Sequence, residues 1–304
     1  MILLKGRIVA DKIKDEVKDK IEADKKFKKT ANLLLGNDKN YMDCDVVPEL
    51  AVIQVGDNNA SSTYVKNKQK ACEYVGIRSN VYNLSEDVST SYVINLIKSL
   101  NSNKNVDGIL VQLPLPKHLD EQSILLSIEP SKDVDGFHEV NVGRFNLGGK
   151  NTFIPCTPLG IKFILQYYNV DVAGKECVIV GRSNIVGKPM ANLLLQMDAT
   201  VTIAHSKTKN LKEVCKRADI LICAIGKPKF FNRDYVKEDA IVIDVGINRD
   251  ENGKLCGDVD FDDVKYLVSA ITPVPGGVGP TTVAMLMCNC YRAKQYQILK
   301  EGIE

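Results

Sequence analysis

Short apolar runs alternate with amphipathic stretches twice along this chain, and that alternation leaves few folds open. The runs Leu50–Val55, Ile77–Leu84 and Val106–Leu113 are separated by helix-like stretches at Ala60–Val75 and Ser91–Leu100 and followed by a third at Asp120–Ile128. A second series carries strands at Cys177–Val180, Ala199–Ala204, Ile220–Ala224 and Ile241–Val245. Strand–helix alternation predicts βαβ units and largely parallel sheets, hence an α/β fold. Between Asp133 and Ile154 the pattern dissolves into a Gly/Asn-rich segment, the candidate domain boundary. The chain's 304 residues agree with two lobes, at roughly 150 residues per domain.

Other segments frame these two series. Val9, Ile13, Val17 and Ile21 recur every four positions and predict an amphipathic first helix with a Lys/Asp/Glu outer face. From about Asp24 to Val47 periodicity is lost, which reads as a loop or insertion. Thr157-Pro158 predicts a helix start, with Thr as N-cap and Pro at the first helical position. A last helix is expected from near Pro280 toward Gln297.

Composition narrows the function classes. Forty basic residues against 38 acidic give +2, without a run of like charge that could track a phosphate backbone, so a nucleic-acid partner is not expected. No run approaches the ~18 apolar residues of a membrane span. The opening Met-Ile-Leu-Leu-Lys-Gly-Arg meets a charge too soon for a signal peptide. Nine scattered cysteines without a Cys-x-x-C pair read as reduced thiols, pointing to a cytoplasmic protein.

In the second series, Cys177–Val180 runs into Gly181-Arg-Ser-Asn-Ile-Val-Gly187-Lys-Pro and a helix-forming stretch at Met190–Leu195. Strand, glycine turn and helix aim free N–H groups at a pyrophosphate. The match to G-x-G-x-x-G is imperfect, because Ser183 replaces the middle glycine and Gly187 arrives one position late. Spacing alone leaves a cofactor site level with an ordinary tight βα turn. The next strand ends in His205-Ser206-Lys207-Thr208. It lacks the carboxylate that takes the ribose 2′-OH of NAD about 20 residues after the glycine turn. Arg182, Ser206 and Lys207 suit a 2′-phosphate instead, so NADP is expected over NAD, although Lys207 fits a solvated surface cation better.

In the first series, Lys66, Lys70 and Glu73 share a solvated helical face, whereas Tyr64, Lys68, Ala71 and Val75 share a partly apolar stripe. Lys68 either snorkels outward or is partly desolvated. Desolvation favours a neutral amine, a usable general base near pH 7. Gln112 stands at the carboxyl end of a buried strand stopped by Pro114 and Pro116, the edge where open parallel sheets bind ligands. Asp133 and Asp135 read, on chemistry alone, as a surface Asp-Gly turn. The stretch Gly257-Asp-Val-Asp-Phe-Asp-Asp263 could hold a hard cation, but an acidic helix start is the simpler reading. No metal is expected.

Six strings then occur in one order: Tyr64-Val-Lys-Asn-Lys68, Val111-Gln-Leu-Pro-Leu-Pro116, Lys132-Asp-Val-Asp-Gly136, Pro155-Cys-Thr-Pro158, Gly181-Arg-Ser-Asn-Ile-Val-Gly187 and Pro273-Val-Pro-Gly-Gly-Val-Gly-Pro280. Together they resemble the bifunctional methylenetetrahydrofolate dehydrogenase/methenyltetrahydrofolate cyclohydrolase family. The resemblance implies a multifunctional enzyme of one-carbon metabolism that serves purine biosynthesis. It would oxidise 5,10-methylenetetrahydrofolate with NADP and hydrolyse the methenyl product to 10-formyltetrahydrofolate. It implies catalytic Lys68, Tyr64, Gln112 and Asp135. Cofactor contacts would come from Thr157, Gly181, Arg182, Ser183, Ile185, His205, Ser206 and Ile247. Folate contacts would come from Tyr64, Gln112, Leu113, Pro114, Asp135, Gly276, Gly277 and Thr282. The implied fold is an α/β folate-binding lobe, residues 1–153 and 280–304, with a Rossmann-like NADP-binding lobe, residues 154–279. The final helix would pack back on the first lobe, and the protein would be a cytoplasmic homodimer.

Two departures stand out. The 24–47 stretch is longer than in the usual bacterial forms, and Thr281 replaces the common Met. Rival readings are a member with one activity only, an unrelated NADP-linked dehydrogenase, and a non-catalytic NADP-binding protein. The three scattered histidines give the unrelated dehydrogenase little support.

Overall fold

A computed structural model describes residues 1–35, 45–57 and 59–301. The chain opens with β1 (Ile2–Leu3) and α1 (Gly6–Leu35), followed by β2 (Glu49–Val55), α2 (Asn59–Val75), β3 (Arg78–Leu84) and α3 (Thr90–Ser102). Next come β4 (Gly108–Val111), α4 (Glu121–Leu126), α5 (Glu139–Asn146) and α6 (Cys156–Tyr167). Then follow β5 (Glu176–Val180), α7 (Gly187–Leu195), β6 (Thr200–Ala204), α8 (Leu211–Lys216), β7 (Ile220–Cys223) and β8 (Ile241–Asp244). The chain finishes with β9 (Asn248–Arg249), β10 (Leu255–Cys256), α9 (Phe261–Val264), β11 (Ala270–Ile271) and α10 (Val278–Glu301).

Two compact units result. One comprises Lys12–Phe145, Gly149–Phe153 and Leu286–Glu304 and carries a parallel sheet in the order β3-β2-β4. Every residue of β4 is buried, as its unbroken apolar run predicts for a strand covered on both faces. Ile53, Ile97, Ile109 and Ile124 are fully buried in this core, each worth roughly 1.5–3 kcal/mol of transfer free energy. The expected stripe of α1 is buried too, at Val9, Ile13, Val17 and Ile21.

The other unit comprises Met1–Asp11, Asn146–Gly148 and Ile154–Met285, around an all-parallel sheet in the order β1-β11-β8-β7-β5-β6. Its central strands β5 and β7 are buried almost throughout, with Val178, Leu221 and Val242 at the heart of the core. A small antiparallel hairpin, β9–β10, follows β8.

Several elements depart from the sequence expectation. α1 continues to Leu35, so the expected loop does not begin at Asp24; residues 36–44 of that stretch lie outside the described residues. Lys, Ala and Leu are good helix formers, and they sustain this helix beyond Asp24, where the four-residue stripe has ended. The stretch assigned to a boundary contains α5, a helix too short and Asn-rich to show periodicity. β1, placed from sequence in the first lobe, pairs in parallel with β11, Ile2 opposite Ala270, in the six-stranded sheet. Two residues are too few to show a period, and only the partner strand reveals them. α10 starts at Val278, and its residues through Met285 belong to the six-stranded unit. α6 starts at Cys156 with Pro155 as N-cap, so Thr157 lies inside the first turn instead of capping it.

Candidate active site

In the three-stranded unit, the chemistry gathers at the carboxyl ends of β2 and β4. Gln112 leaves β4 there, its N–H donating to the Ile53 carbonyl at 2.8 Å. Its side-chain amide donates to the Leu113 carbonyl at 2.7 Å, which fixes the orientation of the amide oxygen. That oxygen, Oε1, accepts from Lys68 Nζ at 3.0 Å. Lys68 and Tyr64 are both half-buried on α2, while Lys66 and Lys70 are exposed, so the helical stripe separates the lysines as expected. Burial pushes the Tyr64 phenol up from its ordinary value. Leu113 and Pro114, joined by a cis peptide, lie directly after Gln112.

Gln54 is a participant that the sequence reading missed. It is buried at the end of β2, and its amide donates to the Gly56 carbonyl at 3.1 Å and to Ser62 Oγ at 2.9 Å. It thereby ties the start of α2 to the strand end and fixes the register that presents Tyr64 and Lys68. A polar residue at the end of an otherwise apolar buried strand was the available signal.

The Lys132–Gly136 turn is not a surface Asp-Gly turn. Asp133 is buried, and its carboxylate accepts from the N–H groups of Gly136 at 3.1 Å, Phe137 at 3.3 Å and His138 at 2.8 Å. Asn141 Nδ2 adds a fourth bond at 2.9 Å. Burial pushes the Asp133 carboxyl up, with nearby Asp135 adding to the rise and the Asn141, His138 and Phe137 donors opposing it. Lys132 is also buried and donates to the carbonyls of Leu100, Asn101 and Asn103, at 3.0, 2.8 and 2.7 Å, closing the end of α3. Two members of the motif therefore hold the backbone, and half-buried Asp135 is the carboxylate they present.

In the six-stranded unit, the β5–α7 turn has the demands of a phosphate cradle. Gly181 has φ +137°, and a Cβ there would meet the Ala224 carbonyl oxygen at 2.3 Å. A Cβ on Gly187 would meet the Gly181 carbonyl oxygen at 2.2 Å, so α7 approaches β5 at backbone contact. These are the tight-turn and close-packing roles of glycine in dinucleotide turns. Ser183 Oγ, at the position where a middle glycine is missing, accepts from the N–H groups of Val186 at 3.1 Å and Gly187 at 3.4 Å, tying the turn to the start of α7. Arg182, Ser183 and Ile185 are exposed around the turn.

The turn after β6 is built by Thr208 Oγ1, which accepts from the His205 N–H at 2.9 Å, and by His205 Nδ1, which accepts from the Lys207 N–H at 3.1 Å. Ser206 and Lys207 are exposed beside it, in a turn without a carboxylate. This edge fits a nucleotide carrying a 2′-phosphate. Thr157 and Thr282 share a hydrogen bond at 3.1 Å, and Ile247 is exposed after β8.

Of the expected folate residues, Gly276, Gly277 and Thr282 lie in this unit, whereas Tyr64, Gln112, Leu113, Pro114 and Asp135 lie in the other. Gly277 serves the backbone, since its carbonyl oxygen would stand 2.1 Å from a Cβ on Gly6. Gly276 has φ +100° with open space where a Cβ would point. Thr281 is fully buried, donates to the Val278 carbonyl at 2.7 Å and packs where Gly160 lacks a side chain. In the acidic stretch, Asp262 and Asp263 do occupy the first turn of α9, but Asp258 is buried and faces elsewhere.

Comparison with known proteins agrees with both halves of this geometry. The model of the tetrahydrofolate dehydrogenase/cyclohydrolase catalytic domain matches residues 4–135, and that of the family's NAD(P)-binding domain matches residues 155–298. The bifunctional protein FolD of Agathobacter rectalis is 54% identical over 291 residues, 96% of this chain and 98% of its own. The crystal structure of FolD methylenetetrahydrofolate dehydrogenase/cyclohydrolase from Campylobacter jejuni superposes with a TM-score of 0.89 at 49% identity, covering 97% of this chain and 99% of that one. The Trypanosoma brucei enzyme, solved with NADP cofactor and inhibitor, gives 0.87 at 34% identity, covering 97% and 98%. The chain belongs to the tetrahydrofolate dehydrogenase/cyclohydrolase family.

Proposed function

We propose that this chain oxidises 5,10-methylenetetrahydrofolate with NADP and hydrolyses the methenyl product to 10-formyltetrahydrofolate. The three-stranded unit holds the folate, and the six-stranded unit holds the cofactor. The observation that carries the reading is the bond from Lys68 to an oriented Gln112 at the carboxyl end of β4.

In the first step the carbon that loses hydride is flanked by two nitrogens, and a nitrogen lone pair stabilises the cation left behind. NADP supplies the hydride acceptor. No O–H proton is removed, so the protein's task is to hold the reacting carbon in place. Tyr64, Gln112, Leu113, Pro114 and Asp135 are the residues assigned to that task on the folate side, with Gly276, Gly277 and Thr282. Arg182, Ser183, Ile185, His205 and Ser206 are assigned to the nucleotide, with Thr157, Gly181 and Ile247.

The second step needs a base. Water adds to the methenyl carbon and gives one proton to the base; the adduct's remaining hydroxyl proton passes to one ring nitrogen as its bond to that carbon breaks, leaving the formyl group on the other nitrogen. Lys68, oriented by its hydrogen bond to Gln112, is the group assigned to take the water's proton, directly or through Tyr64. Lys68→Met is expected to abolish hydrolysis of methenyltetrahydrofolate while NADP binding and thermal unfolding stay as in the wild type. Undiminished hydrolysis would remove Lys68 from the mechanism.

The reading extends to a cytoplasmic homodimer with no nucleic-acid partner. Near-neutral net charge supports the last point, and among the described residues no helix is long and apolar enough to cross a membrane. Light scattering of the purified protein tests the dimer.

A further inference from the structure

The Gly257–Asp263 stretch contains a carboxylate that neither the acidic helix start nor the proposed chemistry uses. Asp258 is fully buried, and it collects four donors. Its Oδ2 accepts from the N–H groups of Ile225 at 2.6 Å and Gly226 at 3.0 Å. Its Oδ1 accepts from the Lys227 N–H and from Asn248 Nδ2, both at 2.8 Å. Three consecutive backbone groups of the loop after β7 thus converge on one side chain. The fourth donor belongs to the segment after β8, next to Ile247.

Asp258 is itself seated by a second buried carboxylate. Asp244, the last residue of β8, accepts from the N–H groups of Asp258 at 2.9 Å and Gly246 at 3.0 Å through Oδ1, and of Val259 at 2.9 Å through Oδ2. Two glycines make room for this arrangement. A Cβ on Gly246 would lie 2.3 Å from Asp258 Oδ1, and one on Gly257 would lie 1.8 Å from Asp244 Oδ2. The loops after β7 and β8 leave the carboxyl ends of parallel strands, the edge at which such sheets bind nucleotides. The loop that Asp258 grips also abuts the phosphate turn, since the Ala224 carbonyl oxygen fills the space where a Cβ on Gly181 would sit.

We propose that Asp258 is a positioning residue for the cofactor: by gathering residues 225–227 and Asn248, it sets the loops that flank the Gly181 turn. The inference rests on the reading that this edge binds NADP. It places Asp258 outside the hydrolytic step, whose base and its partners, Lys68, Gln112 and Tyr64, lie in the other unit and which needs no cofactor. The two reactions therefore serve as each other's control within one preparation.

The test measures, for Asp258→Asn, the Kd for NADP, the KM and kcat of the dehydrogenase, the rate of methenyltetrahydrofolate hydrolysis without cofactor, and the Tm. An amide keeps the shape but turns an NH2 toward N–H donors, so the KM and Kd for NADP should rise about tenfold or more. Hydrolysis should stay within about twofold of the wild type. An unchanged Kd and KM, or a parallel loss of both reactions in step with a falling Tm, would overturn the proposal. Asn248→Ala removes one donor of the four and keeps the proposal testable if Asp258→Asn does not fold. Its expected effect is about a threefold rise in the KM for NADP, with hydrolysis retained; an unchanged KM in the folded variant counts against the proposal. Arg182→Ala separates this idea from its premise. If that variant binds NADP as tightly as the wild type, the fault lies in placing the cofactor at this edge.

Discussion

Ser206 and its neighbours show how little it takes to decide between two cofactors. The exposed turn after β6 offers a hydroxyl and a lysine where a carboxylate would mark an NAD site. Ser206→Asp places a negative charge beside the position assigned to the 2′-phosphate. It should raise the KM for NADP about tenfold or more while changing that for NAD much less. Steady-state kinetics with both nucleotides would show it, and equal effects on the two would disprove the assignment. Lys68 teaches a related lesson. Helical spacing separated it from Lys66 and Lys70, but its partner Gln112 lies 44 residues away, on another element. The stripe was legible in the sequence. The contact was not, because it depends on how α2 lies over the end of β4.

Among the elements, α3 and the turn that follows α4 are joined by one buried lysine. The last carbonyls of a helix lack intrahelical partners, and Lys132 satisfies three in and just beyond the last turn of α3. Asp133, the next residue, folds the backbone around itself so that Asp135 is presented. Lys132→Met should therefore lower the free energy of unfolding by about 2–3 kcal/mol, since it orphans buried acceptors of a charged donor. Urea denaturation would measure it, and a loss below about 0.5 kcal/mol would mean that water replaces the amine. A sequence reading sees Lys132-Asp133-Val134-Asp135-Gly136 as one motif of similar polar residues. Only burial sorts it into two residues that hold the turn and one, Asp135, that stays half-exposed.

At the scale of the whole molecule, the buried acids of the six-stranded unit leave a mark on stability. Burial pushes the Asp244 carboxyl up to about 7, with the nearby Asp258 adding to the rise and backbone N–H groups opposing it. An unfolded chain ionises this group near 3.8. Between these values the folded protein holds a proton that the unfolded chain has released. The group's contribution is therefore complete below about pH 4 and lost as pH rises toward 7, by up to about 1.4 kcal/mol per pH unit. Half-buried Asp219 and exposed Asp234, held low by lysine partners, act in the opposite sense at lower pH. Urea midpoints from pH 5 to 7.5 should fall more steeply for the wild type than for Asp244→Asn. Parallel curves would rule Asp244 out as the source.

Taken alone, the sequence determined what local rules can carry. Apolar runs specified parallel strands, the strand–glycine–helix order left a cofactor turn level with an ordinary βα turn, and the lack of a carboxylate after β6 then pointed to NADP. Each is a property of neighbouring residues, written in period and spacing. The tertiary structure decided what depends on distant partners: β1 joining β11 across the length of the chain, Gln54 bracing α2, Thr157 meeting Thr282, and Asp258 gathering a loop some 30 residues before it. Buried polar groups are satisfied by whichever donors folding brings to them, and the identity of those donors is set by packing between elements, which has no period along the chain.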